Sequence, residues 1–123
     1  MRTVPPKIRM NKGKILYVNR SALFHIGSPK YMFFWWSERE KMLLIGGSDV
    51  KIPQSYKVSD CCYRRTSRSA MNIRESGFLR KVLSFTKWQA DGIYNVRGEY
   101  FPELNMVGFR VNDIIIPAAS DAV

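Results

Sequence analysis

Lys7, Arg9, Lys12, Lys14 and Arg20 lie close together near the N-terminus, and no acidic residue accompanies them: the first is Glu38. Ammonium and guanidinium groups at this density are phosphate ligands, and arginine can also read the guanine edge in a major groove. Arg2 and Lys30 extend the same acid-free run from Met1 to Ser37. A second basic stretch holds Arg64, Arg65, Arg68, Arg74, Arg80 and Lys81 against the single Glu75. Arg64, Arg65 and Arg68 stand among Ser and Thr, as a phosphate-binding segment or an exposed linker would. The chain carries a formal net charge of +10, which attracts polyanions such as DNA and RNA. The bland alternative for each cluster is a solvated basic surface, but clustering fits a nucleic-acid footprint better than uniform solubilisation does.

Other candidate chemistry is sparse. His25 is the only histidine, and Cys61 and Cys62 are the only cysteines. Their spacing matches neither CxxC nor HxxxH, so no metal is expected. No GxSxG, HExxH or phosphate-binding glycine loop occurs, and the ten acidic residues are scattered. The expectation is therefore a binding protein, not an enzyme, with no cofactor. Adjacent cysteines strain a mutual disulfide. The start MRTVPPKIRM lacks the apolar core of a signal peptide, and the longest apolar run, Tyr31 to Trp36, is too short to span a bilayer. A cytoplasmic protein with no membrane role is expected.

The elements that must position these groups read as mainly β with short helices, an α+β chain. Ile8 to Lys12 alternates apolar and polar residues, as a half-buried strand does. Lys12-Gly13-Lys14 reads as a bend, and Ile15 to Val18 resumes as a strand. Asn19 is a helix N-cap for Arg20 to Ile26, and Gly27 supplies the stop. Tyr31 to Trp36 and Met42 to Ile45 form a hairpin, with Gly46-Gly47 expected to end it. Val50 to Val58 contains a strand that Pro53 assigns to an edge. Ala70 to Arg74 reads as a strand and Ser76 to Phe85 as an amphipathic helix. Ile93 to Val96 and Met106 to Val111 are strands around a turn region, Gly98 to Asn105. Ile114 to Ile116 is a last apolar patch.

The order strand, helix, strand, turn, strand thus occurs twice, over 15–45 and 70–111, as a weak internal duplication or as an order common among small α+β chains. The expected organisation is a module at 1–47, a basic connector at 48–69, a second module at 70–116 and a tail at 117–123.

The stretch IRMNKGKILYVNRSALFHIGSPKYMFFWWSEREKMLLI, Ile8 to Ile45, resembles the AbrB/MazE-type swapped-hairpin (SpoVT-AbrB) domain of bacterial transition-state regulators and antitoxins. The likeness lies in a basic strand, the Gly13 bend, an apolar strand, a short helix ending in Ile26-Gly27, and a Pro-containing turn into a hairpin. It covers about a third of the chain. The family usually has Pro where Asn19 stands, often a basic pair where Leu23 and Phe24 stand, and commonly charge on one face of the hairpin. The resemblance implies a β-barrel of interleaved chains, a homodimer, and duplex DNA on the basic strand and loop surface, as in a transcriptional regulator or antitoxin. If the second half is a copy, the two halves could pair within one chain instead.

Phe33, Phe34, Trp35 and Trp36 are apolar on both strand faces and cannot stand uncovered in water. They are expected as core or as an interface with a second subunit. Two other readings remain open: a stacking platform for single-stranded nucleic acid, and a surface for a protein partner such as a toxin, with no nucleic-acid role.

Overall fold

Along Lys7–Asn11 (β1), Ile8 and Met10 are buried while Lys7 and Arg9 are exposed, so the alternation becomes a strand with one wet face. This and the other elements come from the computed structural model of the chain, which describes residues 5–63, 71–86 and 88–111. After β1 come Ile15–Val18 (β2), the helix Arg20–His25 (α1), Tyr31–Ser37 (β3), Met42–Ser48 (β4) and the two-residue Tyr56–Lys57 (β5). A 3-10 turn, Asp60–Tyr63, precedes Met71–Ile73 (β6). The helix Ser76–Phe85 (α2) and the strands Ile93–Phe101 (β7) and Met106–Arg110 (β8) complete the described chain.

The protein is mainly β. Eight strands, every pairing antiparallel, form one curled half-barrel in the order β5-β3-β4-β8-β7-β1-β2-β6. β7 joins the two parts of this sheet. Its first half, Ile93–Arg97, pairs with β1, and its second half, Gly98–Phe101, pairs with β8. The concave side holds the core, with Ile8, Met10, Leu16, Met32, Leu43, Ile45, Val107 and Phe109 buried against Leu23 of α1 and Leu79 and Val82 of α2.

The strand order carries a symmetry. Exchange β1 with β5, β2 with β6, β3 with β7 and β4 with β8, and imagine β6 meeting β5: the circular order is unchanged. Equivalent strands of the two halves pair with one another, β2 with β6 and β4 with β8.

Two expected strand ends move. Gly46 and Gly47 continue β4 instead of ending it, and Gly98 lies inside β7 instead of opening a turn. The reason is space, not flexibility. A Cβ on Gly46 would lie 2.5 Å from the Phe33 ring, one on Gly47 2.6 Å from Pro29, and one on Gly98 2.6 Å from Phe109. The helix expected over Arg20 to Ile26 ends at His25, with Ile26 as its cap and Gly27 at φ +93° beyond it. Ile114 to Ile116 and the tail lie outside the described residues.

Candidate nucleic-acid interface

The turn between β1 and β2 places Lys12 and Gly13 both at positive φ, and Lys14 N–H closes it by donating to Asn11 O at 3.0 Å. The turn is held against its neighbours. Lys12 N–H donates to Gly92 O at 2.8 Å, and a Cβ on Gly13 would crowd Ala90 and Leu83 at 3.1 Å. Lys12 and Lys14 are exposed on this fixed tip.

At the other end of the hairpin one side chain does three jobs. Asn19 Oδ1 accepts from Ala22 N–H at 3.0 Å, capping α1, and from Lys7 N–H at 3.0 Å. Its Nδ2 donates to Pro5 O at 3.0 Å. The start of β1, and with it Lys7, is therefore fixed by the helix cap.

Pleating sends Lys7 and Arg9 to the convex face, and pairing supplies their neighbours. Arg97 of β7 stands directly opposite Lys7. Arg9 faces Asn95 of β7 on one side and Tyr17 of β2 on the other, and Tyr17 in turn faces Asn72 of β6. Asn72, Tyr17, Arg9 and Asn95 thus form one row across four strands, about 14 Å wide. Along β1, Lys7 and Arg9 are about 7 Å apart. Tyr17 is half-buried, and Asn72, Asn95, Arg9 and Arg97 are exposed.

Like charges directly across a sheet repel. Lys7 and Arg97 occupy such a pair, and neither has an ion pair among the described residues. The ion pairs there are Lys41 with Glu38 and Arg110 with Glu40, the latter at 3.9 Å, and both involve the β3–β4 turn. Glu99, two residues along β7 from Arg97, is the nearest acid on that strand face.

Of the residues expected to bind DNA, the structure gathers Lys7, Arg9, Lys12 and Lys14 on one hairpin. Arg20 differs: its guanidinium lies over the Phe24 ring, 5.4 Å from the centroid, and it is half-buried. Arg64, Arg65 and Arg68 lie outside the described residues. Arg97, Tyr17, Asn72 and Asn95 were not legible as site residues, because only strand pairing brings them beside Arg9.

The aromatic run divides by pleat. Phe34 and Trp36 turn inward onto α2: Phe34 packs on Phe78 with centroids 4.5 Å apart, and Trp36 stacks on Phe85 at 4.8 Å and 14°. Phe33 and Trp35 face outward. Phe33 lies over Gly46, while Trp35 is 62% exposed. The cover expected on both faces is thus present on the inner face, and Trp35 stands uncovered on the outer one.

No helix among the described residues is long and apolar enough to cross a membrane. No family model matches the sequence, and comparison with curated proteins and with solved structures returns no match.

Proposed function

We propose that this protein binds duplex DNA on the convex face of β1, β2 and β7, with Lys7, Arg9, Arg97, Lys12 and Lys14 holding phosphates. The observation that carries the reading is Lys7 opposite Arg97 without an acidic partner. A folded chain gains nothing from that repulsion by itself, whereas a phosphate between the two cations turns it into attraction.

The geometry favours backbone contact over base reading. A free two-stranded ribbon can enter the major groove. Here β1 is also paired to β7 and β2 to β6, so the hairpin is the middle of a wider sheet. Phosphate contacts position a protein and carry no sequence information directly. Occupying DNA in this way, as a regulator or antitoxin does, needs no catalytic chemistry.

Support for the swapped-hairpin resemblance comes from the exchange symmetry of the strand order. On that reading β2–β6 and β4–β8 stand in one chain for pairings that such a domain makes between two subunits, and no second copy is needed. A second reading, docking of a protein partner, rests on the exposed Trp35.

The test is binding to random-sequence duplex over a range of salt. Each phosphate contact contributes about 0.9 to the slope of log affinity against log salt. Replacing Lys7 and Arg97 together by Ala is expected to lower that slope by about 2 and to weaken binding at least tenfold at moderate salt. The double variant should fold at least as stably as the parent, since repulsion is relieved. Absence of binding at low salt, or an unchanged slope, overturns the reading. Duplex binding that is weak and indifferent to the double variant would favour the partner-docking surface.

A further inference from the structure

Between α2 and the strands β3 and β5 lies a cleft of about 430 Å³ on the concave side, away from the basic face. That volume falls in the range of small-molecule sites. We propose that it binds a small aromatic molecule carrying one anionic group.

The apolar part of the cleft is aromatic on both sides. β3 supplies Phe34 and Trp36, α2 supplies Phe78 and Phe85, and Leu43 of β4 also lines it. The rings pair across the helix–strand boundary, and their remaining edges and faces suit another flat ring. The cleft's acid and its base stand at different places along α2. Glu75 accepts a hydrogen bond from the Tyr56 hydroxyl at 2.8 Å. Lys81 is exposed and has no ion pair among the described residues. Six residues of helix put Lys81 about 9 Å along the axis from the negative Glu75, so an anionic group on the ligand would lie at the Lys81 end of the cleft.

Gly77 keeps the opening clear. It shares a helix face with Lys81 and Phe85, four and eight residues on. A Cβ there would meet nothing within 4 Å, so open space stands where a side chain would project. Glycine is a poor helix former, and at this position no crowding demands it. A larger side chain can therefore be introduced without a clash, and it would occupy the cleft.

The experiment uses the full chain and two probes, anilinonaphthalenesulfonate and the neutral N-phenylnaphthylamine, read by energy transfer from tryptophan. The anion is expected to bind saturably at one site and more tightly than the neutral probe. Lys81→Glu should weaken the anion about fivefold and leave the neutral probe unchanged. Gly77→Leu should weaken both about tenfold or more. Trp35→Ser, on the opposite face, should change neither. Absence of saturable binding, indifference to Gly77→Leu, or loss with Trp35→Ser overturns the proposal. None of these outcomes depends on whether the convex face binds DNA.

Discussion

The Tyr56 hydroxyl donates to Glu75 Oε2 across 2.8 Å, and so links β5 to the start of α2, just beyond β6. β5 and β6 are the two edges of the sheet. The bond spans the place where the exchange symmetry of the strands would put another backbone ladder. Burial, with Glu75 as hydrogen-bond acceptor and negative charge, raises the Tyr56 pKa well above the usual tyrosine range. A raised tyrosine pKa means that the folded state holds the proton more firmly than the unfolded state does. The resulting stabilisation is fully present below the unfolded value, about 10, and is lost as pH rises towards the folded one. Tyr56→Phe is expected to cost about 1 kcal/mol at neutral pH. The wild-type advantage should then shrink above about pH 10. Parallel stability curves for the two proteins in urea titrations at neutral and alkaline pH would refute the linkage.

Asn19 is expected to matter more than a helix cap usually does. Replacing an N-cap by Ala costs about 1 kcal/mol. Here the same side chain also bonds Lys7 N–H and Pro5 O, so Asn19→Ala should cost about 2 kcal/mol. Asn19→Asp keeps both acceptor roles and loses the donor to Pro5, and should fall between the two. Chemical denaturation measures this ordering. A loss from Asn19→Ala of only about 1 kcal/mol, a cap's usual value, would show that the bonds to Lys7 and Pro5 contribute little.

What the sequence made legible was local. Alternation marked β1, and glycine chemistry marked the Lys12-Gly13-Lys14 bend and the stop at Gly27. The side-chain chemistry of Asn19 marked the start of α1, and helical spacing marked α2 at its observed ends. The remainder depended on partners distant in the chain. Lys7 and Arg97 meet only because β7 pairs with β1, so half of the candidate site had no signal near Lys7. The sequence places Arg20 beside the hairpin, and it carries no signal for the contact of its guanidinium with the Phe24 ring. The alternation in Tyr31–Ser37 divides Phe34 and Trp36 from Phe33 and Trp35, yet it cannot say which pair α2 will cover.

Gly98 and Gly46 make a paired test of why glycine sits inside strands here. A Cβ at Gly98 would lie 2.6 Å from Phe109 and 2.8 Å from Val107, both fully buried on the concave side. A close-packed interior cannot yield that space without strain, so Gly98→Ala should cost about 2–3 kcal/mol. A Cβ at Gly46 would lie 2.5 Å from the Phe33 ring, which is half-buried on the convex face. That ring can swing towards solvent, and alanine restricts the unfolded chain more than glycine does. Gly46→Ala should therefore cost under about 1 kcal/mol. Thermal and urea unfolding of the two variants decide the matter. Equal losses would mean that the core around Phe109 relaxes as readily as the surface around Phe33.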